Sequence, residues 1–139
     1  LHPIVECFRP DHPYFNKFFK IVDELRLPIL IHSGEGFSAP GLVVKVAKKH
    51  PNTIVILAHL REGCIAALRE SSNIYVETSG TLPEFVELAT DADKNRVLFG
   101  SDVPYYRYPT QTAIIEAAEI SNKIKRNVYF ENFERLFTR

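Results

Sequence analysis

Val97-Leu98-Phe99-Gly100-Ser101-Asp102 is an apolar run that ends on a carboxylate, and two earlier runs end in the same way. Pro28-Ile29-Leu30-Ile31 stops at His32, and Ile54-Val55-Ile56-Leu57-Ala58 stops at His59. Short apolar runs bounded by turn formers and separated by amphipathic stretches read as buried parallel strands. Ionisable groups at the C-terminal ends of such strands sit where α/β barrels keep their chemistry.

Working outward, the pattern alternates between helix and strand. Phe15, Phe18, Phe19, Val22 and Leu25 recur at helical spacing and predict a helix over 13–26, followed by a strand over 28–32. Leu42, Val43, Val46 and Ala47 mark the next helix, which His50-Pro51-Asn52 ends, because a residue before proline resists the α conformation. Strands are predicted over 53–59, 73–77 and 95–101, with helices over 61–70, from Pro83, where proline suits the first turn, and from Pro109. A last amphipathic segment runs near 127–137. This is an α/β pattern of parallel βα repeats, with right-handed crossovers expected and residues 1–139 forming one domain.

Composition narrows the function. Seventeen basic residues balance seventeen acidic ones, which gives little electrostatic reason to bind nucleic acid or an anionic membrane. No apolar run approaches the ~20 residues that span a bilayer, and no charged-then-apolar leader opens the sequence. Two cysteines, Cys7 and Cys64, are too few for a disulfide framework, so a cytoplasmic protein is expected. A Gly-rich strand-to-helix turn for a nucleotide is missing.

Two imidazoles and a carboxylate are suited to a divalent transition metal, zinc first, which would lower the pKa of bound water towards ~7. Each residue alone also has a structural reading: a strand-end His as a hydrogen-bonded packing residue, an Asp after Gly-Ser as a turn former. It is their shared position at the ends of three strands that points to a site. His2 and Glu35 are placed to touch a small-molecule substrate, and Glu77 and Ser79 end a further strand at the same mouth.

The segment from Val97 to Pro104 resembles the strand-eight signature of the amidohydrolase superfamily, in its branch containing the aminocarboxymuconate semialdehyde decarboxylases. Pro28 to Gly34 resembles strand five of that family, Ile56 to Leu60 strand six, and Leu1-His2-Pro3 the end of strand four. Glu131-Asn132-Phe133-Glu134-Arg135-Leu136-Phe137 resembles the closing helix. The resemblance implies the C-terminal half, about strands 4/5 to 8, of a (β/α)8 TIM barrel. It implies His32 as a metal ligand, and Asp102 as a ligand and as the catalytic proton acceptor. It gives His59 a catalytic role beside a single metal, or a place on a second one.

The family's His-x-His ligands on strand one have no counterpart here. The expected function is therefore a portion of a metal-dependent hydrolase, inactive in isolation, in which metal-activated water attacks a carbonyl, ester, lactone or amide carbon. The alternatives are a metal-dependent decarboxylase of a small carboxylic acid and a non-catalytic scaffold remnant. An open half-barrel bares sheet edges, so self-association or pairing with the missing N-terminal half is also expected.

Overall fold

Strands β1 (Ile29–His32), β2 (Val55–Ala58), β3 (Ile74–Glu77) and β4 (Val97–Leu98) lie side by side in chain order. Every pairing is parallel, with Leu30 opposite Ile56, Ile56 opposite Tyr75 and Glu77 opposite Leu98. The structure is a computed structural model that describes residues 1–138. Helices follow the strands as α1 (Asn16–Glu24) before β1, then α2 (Pro40–Lys49), α3 (Glu62–Glu70), α4 (Pro83–Asp93) and α5 (Tyr108–Ala117). The chain closes with α6 (Asn122–Arg126), a π turn (Asn127–Glu131) and α7 (Asn132–Phe137).

The period-2 alternation of a strand sorts its side chains onto two faces. Ile31, Val55, Leu57, Ile74, Val76 and Val97 point to the helix side and join Val43, Leu68, Val86 and Ile115 in the main core. Phe19 and Val22 of α1 add a satellite cluster with Ile29 and Val46. The other face carries Leu30, Ile56, Tyr75 and Leu98, and α7 reaches it, where Leu136 packs on the last three. Leu30, at the edge of this face, stays 54% exposed.

The predicted elements form with trimmed ends. The helix expected over 13–26 divides into a 3-10 turn (Pro13–Phe15) and α1, and α1 ends in a Schellman turn with Arg26 at φ 53°. In that turn the Leu27 amide donates to the Val22 carbonyl and the Arg26 amide to Asp23. The strand expected over 95–101 is corrected to two residues. Beyond Leu98 the chain leaves the ladder, because the Phe99 amide donates to the Val128 carbonyl at 2.8 Å and the Gly100 amide to Thr78 Oγ1. A π turn relaxes the regular helical hydrogen bonding, and here its Val128 carbonyl receives the β4 extension. Leu1 flanks the open side of β1, with its amino group on the Leu30 carbonyl and its carbonyl accepting from the His32 amide.

Polar side chains tie down the N-terminal end of the sheet. Asn73 Nδ2 donates to the carbonyls of Ala47, His50 and Thr53. The Arg96 guanidinium donates to Leu68, Ser71 and Ile74 carbonyls and to Asp93. Asn132 Nδ2 reaches the Lys94 and Val97 carbonyls, and Asp23 accepts from the Asn52 and Thr53 amides. These bonds satisfy backbone groups that turns would otherwise leave unpaired.

Candidate functional site

The opposite, C-terminal end of the sheet gathers three of the five histidines, His2, His32 and His59. His32 closes β1, and its ring stacks on His2 with centroids 3.9 Å apart. His59, one residue past β2, meets the His32 ring edge-on at 4.8 Å. Burial, with His2, His59 and Arg61 adding to it and Asp102 opposing, pushes His32 down from 6.5 to about 4. His32 is therefore neutral at physiological pH, with ring lone-pair chemistry to offer.

Asp102 lies beyond β4 and lines one cleft together with His59, Glu77, Ser79, Gly100 and Ser101. The cleft has a volume of about 450 Å³, and its remaining walls include Leu30, Ile56, Leu98, Phe133 and Phe137. Among the described residues the Asp102 carboxylate accepts no hydrogen bond, while its carbonyl takes the Tyr105 and Tyr106 amides. Both His59 and Asp102 adopt left-handed backbone, with φ of 63° and 51°. That region is disfavoured for a residue bearing a Cβ and costs on the order of 1–3 kcal/mol, so surrounding bonds must hold it.

For His59 those bonds come from Glu77. The buried Glu77 carboxylate accepts the His59 amide at 2.7 Å, the Ser79 amide at 2.9 Å and the Ser79 hydroxyl at 2.7 Å. Ser79 Oγ in turn lies 2.8 Å from His59 Nδ1. Gly100 makes this possible, since a Cβ there would fall 1.5 Å from Glu77 Oε2. The sequence reading put Glu77 and Ser79 at the strand mouth; the structure has both line the cleft and also brace His59. The visible signal was an acidic residue ending an otherwise apolar strand, Ile74-Tyr75-Val76-Glu77.

His2, His32 and His59 thus come together, and Asp102 shares the cleft with His59. Glu35 does not join them: it is exposed before a 3-10 turn (Gly36–Ser38) and does not line the cleft. Tyr106 stands over Gly80, where a Cβ would approach its hydroxyl to 3.0 Å, so the turn after β4 leans on the loop after β3. Burial pushes the Cys64 thiol pKa up, against a hydrogen bond to Ser33 that lowers it, which disfavours the thiolate a nucleophile needs.

The amidohydrolase family profile matches residues 1–139, and the chain belongs to that family. Among solved structures, 2,6-dihydroxybenzoate decarboxylase from Rhizobium is similar at 17% identity and TM-score 0.77, covering 94% of this chain and 57% of that one. A dihydroxybenzoic acid decarboxylase from Polaromonas sp. JS666, with bound manganese, is similar at 16% identity and TM-score 0.73, over 94% and 55%. A TIM-barrel protein from Bordetella bronchiseptica gives 17% identity and TM-score 0.80, over 94% and 52%. No curated protein matches the sequence. The chain therefore spans little more than half the length of these structures, and its fold is part of a (β/α)8 barrel.

The hydrolase expectation is corrected here. The similar enzymes named by substrate are decarboxylases, which favours the alternative reading over hydrolysis. The physical reason for the miss is that strand-end imidazole and carboxylate groups serve either reaction. The fold does not choose between them.

Proposed function

We propose that this chain carries the acid–base end of a decarboxylase for a small aromatic carboxylic acid. The single observation behind this reading is the cleft, whose lining joins apolar Leu30, Ile56, Leu98, Phe133 and Phe137 to polar His59 and Asp102. Such a lining suits a flat ring, and its polar groups suit a carboxylate and ring hydroxyls. The decarboxylases of the same fold support the choice.

Loss of carbon dioxide requires a proton on the ring carbon that bears the carboxylate. The electron pair of the breaking carbon–carbon bond then returns to the ring. Asp102, with no hydrogen bond to its carboxyl among the described residues, is the group assigned to deliver that proton and to recover it from solvent. His59 faces the same cleft and accepts a hydrogen bond from a ring hydroxyl, which orients the substrate.

His32 and Asp102 are the donors this chain would contribute to a divalent metal, and the manganese of the Polaromonas enzyme supports such a metal, without singling out zinc. Among the described residues, however, no three His, Cys, Asp or Glu side chains stand close enough to hold an ion. The set does not by itself make a metal site among the described residues.

The test is carbon dioxide release from a panel of hydroxybenzoates by the natural polypeptide that carries these residues, with manganese supplied. Release without hydrolysis of matching esters and amides supports the reading. Ester or amide hydrolysis with no carbon dioxide would overturn it.

A further inference from the structure

We infer that Ser79, anchored by Glu77, is a positioning residue that fixes the tautomer of His59 and so decides what His59 offers the cleft. Two oxygens face His59 Nδ1: Ser79 Oγ at 2.8 Å and the Ser79 carbonyl at 3.3 Å. A carbonyl only accepts hydrogen bonds. Ser79 Oγ has one proton, and the Glu77 carboxylate takes it at 2.7 Å. Both oxygens therefore present lone pairs, and Nδ1 must carry the hydrogen. In the neutral ring Nε2 is then left bare, an acceptor and not a donor.

The arrangement is built in depth. Glu77 binds both the amide of His59 and the amide and hydroxyl of Ser79, so one buried carboxylate fixes the ring's partner and the strained backbone beneath the ring. Gly100 leaves the space that carboxylate occupies. Without this support His59 would present an Nε2–H to the cleft for part of the time. The inference rests on hydrogen-bond bookkeeping alone and does not need the decarboxylase reading to hold.

The experiment is long-range ¹H–¹⁵N NMR of the full chain near neutral pH, which separates bare from protonated ring nitrogens, with the His59 signals assigned by their loss in His59→Gln. Wild type is expected to show Nδ1–H and bare Nε2. Ser79→Ala is expected to lower the Nδ1–H to Nε2–H ratio about five-fold, the worth of one ordinary hydrogen bond. Ser79→Thr, which keeps the hydroxyl, restores it. Backbone amide spectra report whether each variant is folded. An Nε2–H ring in wild type, or a ratio that Ser79→Ala leaves unchanged in a folded chain, overturns the inference. Because no turnover is read, a protein that fails to decarboxylate but shows this tautomer pattern refutes the proposed function and leaves this inference standing.

Discussion

The two ends of the sheet use polar side chains in opposite ways. At the N-terminal end Asn73, Arg96, Asn132 and Asp23 spend their hydrogen-bonding capacity on backbone groups of neighbouring turns. At the C-terminal end Asp102 keeps its carboxylate free among the described residues, and the His59 ring meets His32 edge-on while His59 lines the cleft with Asp102. Saturated polar groups mark architecture, and polar groups held in place with capacity left over mark chemistry. Barrels divide stability from catalysis along this axis.

Three measurements sharpen or break that comparison. The largest effect is expected at the saturated end: Arg96→Ala removes a charged group bonded to three carbonyls and Asp93, and should cost about 3 kcal/mol in urea unfolding. A loss under about 0.5 kcal/mol would mean that this end is not what ties the strands together. Next, Gly100→Ala should cost about 2 kcal/mol, as the new methyl drives the Glu77 carboxylate from its bonds to His59 and Ser79. Leu30→Ala, on the open face, should change stability by less than about 0.5 kcal/mol.

The pH dependence separates the ends further. His32 is held at about 4 when folded, against 6.5 ordinarily, so the unfolded chain takes the proton first as pH falls. The stability it contributes is complete above about pH 6.5 and is lost as pH falls towards about 4. Thermal unfolding of wild type should therefore fall more steeply across that window than that of His32→Gln. Parallel curves for the two proteins would show that His32 does not sit in this environment.

Much of this was legible in the residues. The apolar runs announced β1, β2 and β3, and Pro83 and Pro109 sit in first helical turns, where proline is tolerated. The shortness of β4 was hidden, because it depends on the Val128 carbonyl, distant in sequence and freed by a π turn. The cluster of His2, His32 and His59 was foreshadowed by strand ends. The service of Glu77 and Ser79 to His59 was not, since it turns on which face Glu77 takes and on the missing side chain at Gly100. The place of Glu35 was hidden for a related reason: a loop residue carries no face until the loop is folded.

The most direct test pairs one residue from each end. Carbon dioxide release and thermal stability are measured for Asp102→Asn and Arg96→Ala in the natural polypeptide. The account predicts that Asp102→Asn, whose short polar side chain tolerates left-handed backbone, loses about 10²- to 10⁴-fold in rate with its stability nearly intact. Arg96→Ala should lose stability while the folded fraction keeps its rate. An Asp102→Asn protein that turns over like wild type, or that unfolds as readily as Arg96→Ala, would contradict it.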